Sequence, residues 1–269
     1  MTVSPLADRA TLAAHLAVMP VEGGLGVTPI EARPGYLRAR IPVPTRADGR
    51  IPGVVLAVAA DCGVGVAVNS SVPGVAAGPT VELRVDLVGE PFATSGELRI
   101  EGTALYVGTT FGIGRAEITD HDSGALIGHA TGVMAVGRAS AESAAPLEGG
   151  HRLDPSAIGV VPVAGEPGAA MVALAPGMLN SMGHVHGGVM TAIAGRAQEL
   201  LREPGVRAEP ISLTVEFLRP APLALGLLNC RSSFVRQGYR FSTVRTEIVR
   251  PEDGVPVAVA TGTAVLGVE

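Results

Sequence analysis

Shifted by 130 positions, the chain aligns with itself. Leu83 falls on Leu213, Val85 on Val215, Gly96 on Gly226, Gly108 on Gly238 and Phe111 on Phe241. Glu117 then meets Glu247, Gly124 meets Gly254, and Ala130-Thr131-Gly132 meets Ala260-Thr261-Gly262. Upstream the offset becomes 134, which pairs Pro42 with Pro176 and requires one four-residue length difference of the kind that loops absorb. A length of 269 residues allows one large domain or two smaller ones, and the repeat selects two. The expected division is an N-terminal segment at 1–15, a first domain at 16–137, a linker rich in Ala, Ser, Glu and Gly at 138–157, and a second domain at 158–269.

Each copy carries the same order of signals. A short strand (Tyr36 to Ile41; Met171 to Ala175) precedes a Gly or Pro turn, and an apolar stretch of helical length follows (Val54 to Val68; Val189 to Leu201). Period-two strands come next: Val81, Leu83, Val85 and Leu87 are expected to share one face, as are Ile211, Leu213, Val215 and Phe217. Turn residues at Asp120 to Gly124 and at Pro251 to Gly254 join the last two strands of each copy as a hairpin. One apolar helix followed by an antiparallel sheet that wraps around it is an α+β fold.

Composition narrows the function. All 20 basic residues are Arg, so a Schiff-base lysine and a P-loop are excluded. Three Tyr, five Phe and no Trp give no stacking platform for single strands, and a net charge of −5 with scattered arginines argues against any nucleic-acid partner. The two cysteines, Cys62 and Cys230, have no metal-ligand spacing, so no metal site is expected, and they fit a reducing compartment. Because no signal peptide or membrane segment is legible, we expect a cytoplasmic protein.

Two places in this charge-poor chain carry chemistry. Asp61 is the one charge between Arg50 and Glu82, inside an apolar stretch where an uncompensated carboxylate is costly. Cys62 beside it points elsewhere on a helix and is a poor nucleophile. The second place is Asn180-Ser181-Met182-Gly183-His184-Val185-His186-Gly187-Gly188, directly before the second helical stretch. Gly187 and Gly188 let the backbone approach a ligand, and free first-turn amides with the helix dipole polarise a carbonyl. The same residues also suit a tight turn with a satisfied core histidine.

Asn180, Gly183, His186-Gly187-Gly188, Phe217-Leu218-Arg219-Pro220-Ala221 and the closing Ala260-Thr261-Gly262-Thr263 together resemble the hotdog-fold acyl-CoA thioesterases of the phenylacetate-pathway type. The resemblance implies two hotdog domains in tandem, forming a pseudo-dimer. That family carries an acidic general base or nucleophile nine residues after the His, and a Ser or Thr at the start of the next strand. The second copy has Gly195 and Pro210 at those positions. The first copy keeps Asp61 and Thr80, but has Pro52-Gly53-Val54 in place of His-Gly-Gly and Arg46 in place of the Asn. Family sites straddle a dimer interface, so the resemblance implies one composite site. Asp61 and Thr80 would come from the first copy, and Asn180, His186 and Gly187 from the second, with Gly188 contacting substrate. Acyl-CoA hydrolysis is the implied reaction, with CoA part of the substrate and no separate cofactor. A non-catalytic double-hotdog protein that binds acyl-CoA or another small ligand is the alternative. Fused chains of this kind could pair further into homodimers. Arg219, Arg231, Arg236 and Arg240 are candidates for the CoA phosphates, and Leu56, Val58, Met178 and Met190 for the acyl pocket.

Overall fold

The structure is a computed structural model and describes residues 4–44, 49–72, 78–88, 96–137, 150–202 and 208–267. Arg46 and most of the expected linker, residues 138–149, lie outside the described residues.

The apolar stretch around Asp61 forms α3 (Gly53–Asn69), buried throughout except at Gly53 and Val66. A helix apolar all round belongs inside a core, and six strands form the half of the sheet around it, all but the first packing directly against it. These are β1 (Thr28–Arg33), β2 (Tyr36–Pro42), β3 (Thr80–Leu87), β4 (Glu97–Val107), β5 (Phe111–Asp120) and β6 (Leu126–Ala135). The second half repeats the plan with α4 (Gly187–Leu200) and with β7 (Val160–Pro162), β8 (Ala169–Ala173), β9 (Ala208–Phe217), β10 (Leu227–Gln237), β11 (Phe241–Val249) and β12 (Pro256–Leu266). β8 begins and ends two residues before the expected Met171 to Ala175. Small residues let helix and sheet approach: a Cβ on Gly102 of β4 would collide with the backbone carbonyl of Gly63 in α3.

All twelve strands form one antiparallel sheet in the order β1-β2-β4-β5-β6-β3-β9-β12-β11-β10-β8-β7. The halves join at β3 and β9, where Leu83 pairs with Val215, Arg84 with Thr214 and Val85 with Leu213. Arg84 and Thr214 are equivalent at the repeat offset, so a pseudo-twofold axis passes between them, as at the isologous contact of a symmetric dimer. Behind the sheet, α3 and α4 touch each other. The fold is two hotdog domains in tandem, with one sheet wrapped around two central helices.

Three β-bulges recur at the same offset. Register shifts fall between Ala104 and Tyr106 and between Phe234 and Arg236, then between Ile118 and Thr119 and between Ile248 and Val249. The third, between Thr80 and Glu82, skips Val81, and its mate skips Ile211 between Pro210 and Ser212. This bulge corrects the period-two expectation, because Val81 turns outward to 43% exposure while Leu83 and Val85 remain buried. An extra residue inverts the alternation beyond it, so Thr80 pairs with buried Met134 and faces inward.

Ahead of the first strand lie two helices, α1 (Arg9–Val18) and α2 (Pro20–Gly24). Asp8 caps α1 by accepting from the Thr11 amide at 2.8 Å, and α1 buries Leu12 and Leu16. Pro20 opens α2, and its carbonyl accepts from the Leu153 amide at 2.9 Å, so the chain entering the second half fastens α2 in place. Among the described residues no helix is long and apolar enough to cross a membrane, and no group of three or more His, Cys, Asp and Glu is placed to hold a metal ion.

Candidate active site

The N-terminus of α4 points at the middle of α3, and Asp61 stands at the crossing. Its Oδ1 accepts from Thr80 Oγ1 at 2.8 Å, and its Oδ2 accepts from the Gly188 amide at 2.9 Å. A carboxylate at a helix N-terminus meets free amides and the positive end of the dipole. Asp61 is thus buried without being uncompensated, which is how the apolar helix tolerates it.

The two glycines also make room inside the protein. A Cβ on Gly188 would stand 2.7 Å from the Cα of Val58, so its absence permits α3 and α4 to touch. A Cβ on Gly187 would stand 2.7 Å from Asp61 Oδ2, so its absence makes room for the carboxylate. The Gly187 amide has no acceptor among the described hydrogen bonds.

His186 caps α4 and lies between two acids. Its Nε2 is 3.2 Å from Glu22 Oε1, and its Nδ1 is 3.0 Å from the Gly188 nitrogen and 3.3 Å from Asp61 Oδ2. Side-chain exposures of 8% for His186, 6% for Asp61 and 13% for Glu22 place the three groups out of bulk water. Burial alone pushes the imidazole toward its neutral form, but the Glu22 carboxylate, with Asp61 behind it, overrides this and raises the ring to about 9. Glu22 is shifted the other way: burial opposes its charge, yet the histidine holds the carboxyl below its ordinary value. Protonation of the ring decides the bonding. A neutral ring with its proton toward Glu22 accepts from Gly188 at Nδ1; a protonated ring donates to Asp61 and leaves the Gly188 amide wholly to the same carboxylate.

Around these groups lies a cavity of about 630 Å³. Asp61, Thr80, Asn180, His186 and Gly187 all line it, and Gly188 sits behind the rim against α3. Asn180 spends its Oδ1 on the loop, accepting from the Met182 amide at 2.9 Å and the His184 amide at 3.2 Å. Met190 lines the cavity, whereas Leu56, Val58 and Met178 are buried elsewhere. Arg219 reaches the cavity wall and donates to the Pro256 carbonyl at 2.8 Å, while Arg231, Arg236 and Arg240 lie on the exposed surface away from it. Burial pushes the Cys62 thiol well up, which removes it as a nucleophile.

At the opposite position, a Cβ on Gly195 would meet Leu213 at ordinary contact distance, Pro210 faces inward without a hydroxyl, and Pro52 provides α3 with no side-chain cap. The polar cluster of the first position has no counterpart among these described residues.

Glu22 and the apolar wall from Leu6, Leu12, Leu16 and Met19 are the parts that sequence reasoning missed. A signal existed for Glu22: it is the one acid between Asp8 and Glu31, the same isolation that marks Asp61.

The fold is that of a double-hotdog protein, with one buried carboxylate at a helix N-terminus between its halves. Residues 175–267 match the model of the acyl-CoA thioesterase N-terminal domain family. The tesB protein of Mycobacterium avium subsp. paratuberculosis is similar in structure over 95% of this chain and 100% of its own, with a TM-score of 0.64 and 12% identity. A Lactobacillus plantarum protein described as an oleoyl thioesterase covers 88% of this chain with 98% of its own, at TM-score 0.57 and 12% identity. A hotdog-fold protein of Alicyclobacillus acidocaldarius covers 87% with 94% of its own, at TM-score 0.54 and 14% identity. Comparison with curated proteins gives no match. The structural likenesses carry the fold, and the family match is confined to the second half.

Proposed function

We propose that the chain hydrolyses an acyl-CoA thioester, or a closely related acyl thioester, at one composite site between its halves. The observation that carries this reading is the meeting of Asp61 with the N-terminus of α4 inside an apolar cavity. The thioester carbonyl docks at the Gly187 amide, where the helix dipole favours the developing oxyanion. Asp61, held by Thr80 and the Gly188 amide, then takes a proton from water as the water oxygen bonds to the carbonyl carbon. Collapse breaks the C–S bond, and the free acid and the thiol leave, the thiolate taking up the proton. Direct attack by Asp61 reaches the same products through a mixed anhydride that water hydrolyses. Asn180 orients water or the thioester group from the cavity wall. The apolar wall suits the acyl chain, and the remaining half-site at Gly195 and Pro210 contributes no turnover.

Thiol release is measured across short, long and aryl acyl-CoAs for the wild type and for Asp61→Asn. The expected result is hydrolysis that the variant loses by at least about a hundredfold, with acyl-CoA still bound. Tight binding without hydrolysis by the wild type would instead establish a non-catalytic acyl-CoA-binding protein.

A further inference from the structure

We propose that Glu22 is a positioning residue of this site: it holds the His186 ring so that Nδ1 donates to Asp61 Oδ2 and the Gly188 amide is left to the same carboxylate. The inference rests on the reading of Asp61 given above, and it brings the N-terminal helices into the catalytic apparatus.

Three observations converge on it. Glu22 Oε1, the His186 ring and Asp61 Oδ2 form an unbroken line, with steps of 3.2 and 3.3 Å, from α2 through the start of α4 to α3. The line is shielded from bulk solvent, so charge along it is weakly screened. The ring caps a helix N-terminus, where a cation opposes the dipole, so a charged His186 needs more than Asp61 to sustain it. Glu22 provides the second negative charge. It is carried on a helix anchored by buried Val21 and by the Leu153 bond, so its position is imposed by the fold.

The groups facing the ring and its partners are Glu22 from α2, His15 from α1, Asp61 and Cys62 from α3, and His184 from the loop before α4. Removing the Glu22 charge leaves the ring with Asp61 alone against its own burial and the dipole. The ring then turns neutral at lower pH, Nδ1 accepts from Gly188, and a nitrogen lone pair faces Asp61 where a donor stood. A structural role for Glu22 would lower activity equally at all pH values; a positioning role acts only where the ring has lost its proton.

Glu22→Gln keeps the shape and a hydrogen-bond acceptor while removing the charge. His186 is titrated by NMR of histidine-labelled protein, its resonance assigned by its loss in His186→Asn. The pH profiles of kcat and KM are recorded with the best acyl-CoA. Wild-type His186 is expected to titrate near pH 9, and the variant's midpoint to fall by about two units, a hundredfold change in proton affinity. At pH 8, kcat of the variant should fall about tenfold, while at pH 6 it should stay within about threefold of wild type and KM should change little. A wild-type His186 titrating near its ordinary 6.5, an unmoved midpoint in the variant, or a pH-independent loss of kcat would each overturn the proposal. If Glu22→Gln does not fold, the wild-type titration and Glu22→Asp decide the matter. Hydrolysis absent from both proteins, with the titration moving as expected, would overturn the functional reading and leave the coupling of Glu22, His186 and Asp61 standing.

Discussion

Thr80 donates to Asp61 across 2.8 Å because the strand that carries it slips by one residue at Val81. In an unbroken strand Thr80 would share the outer face of Glu82 and Arg84, and Asp61 would lose a donor. Thr80→Val keeps the shape and removes the hydroxyl. The expected cost is ~1–3 kcal/mol of stability from the unmet carboxylate oxygen, together with a drop in kcat of about tenfold or more. Urea unfolding and steady-state kinetics check the two effects separately.

Adjacent glycines should fail in different ways. Gly188→Ala sets a methyl group against the backbone of α3, and parting the helices should cost ~1–3 kcal/mol. Gly187→Ala meets only the Asp61 side chain, which can swing away. Thermal melts should register the first substitution strongly and the second weakly, whereas turnover should suffer in both.

The pair of Glu22 and His186 also ties stability to pH. His186 is raised from 6.5 to about 9, so its contribution is fully present below pH 6.5 and is lost as pH climbs through 9. Glu22 is lowered from 4.5, so its contribution is present above pH 4.5 and is lost as pH falls through its depressed value. The two describe one interaction from opposite sides and are not additive. Tm should therefore hold a plateau between about pH 5 and 7 and decline toward pH 10. Glu22→Gln should flatten that alkaline decline.

Leu12 is fully buried and lines the cavity from α1. Leu12→Ala should cost ~2–5 kcal/mol and enlarge the acyl pocket. The ratio of kcat/KM for bulkier to smaller acyl-CoAs should rise in that variant; an unchanged ratio would mean that the acyl chain lies elsewhere in the cavity.

Restoring one residue to the opposite position should not restore a site. Gly195→Asp would bury a carboxylate against Leu213, with Pro210 unable to donate a hydroxyl. The double variant Asp61→Asn with Gly195→Asp should stay as inactive as Asp61→Asn alone.

Much of this was legible beforehand, for a physical reason. Both copies must build the same helix and the same hairpins, so the turns at Asp120 to Gly124 and Pro251 to Gly254 and the strands they join appear in duplicate. The approach of Asp61 to His186 and the two glycines was anticipated through resemblance and dimer symmetry. Periodicity could not reveal the bulge at Val81, because a one-residue slip in pairing leaves the apolar pattern intact while reversing which face it serves. Glu22 escaped because α1 and α2 have no counterpart among the described residues of the second copy, so the repeat that organised the rest was silent about them. The close contact of α3 and α4 makes Gly188 a packing residue, a fact visible only once the neighbouring helix is in place.

The distance along the chain between the partners of the site has its own consequence. Gly188 lies 127 residues after Asp61, and His186 lies 164 residues after Glu22. At ribosomal speeds the first interval alone takes roughly 6 to 25 s, far longer than local helices and hairpins need to form. Through that time Asp61 lacks the Gly188 amide and Glu22 lacks His186, the groups that receive them in the folded chain. The first domain therefore reaches its final core only when the second arrives. A nascent chain stalled between the halves leaves uncovered the face of α3 that meets α4 in the folded protein.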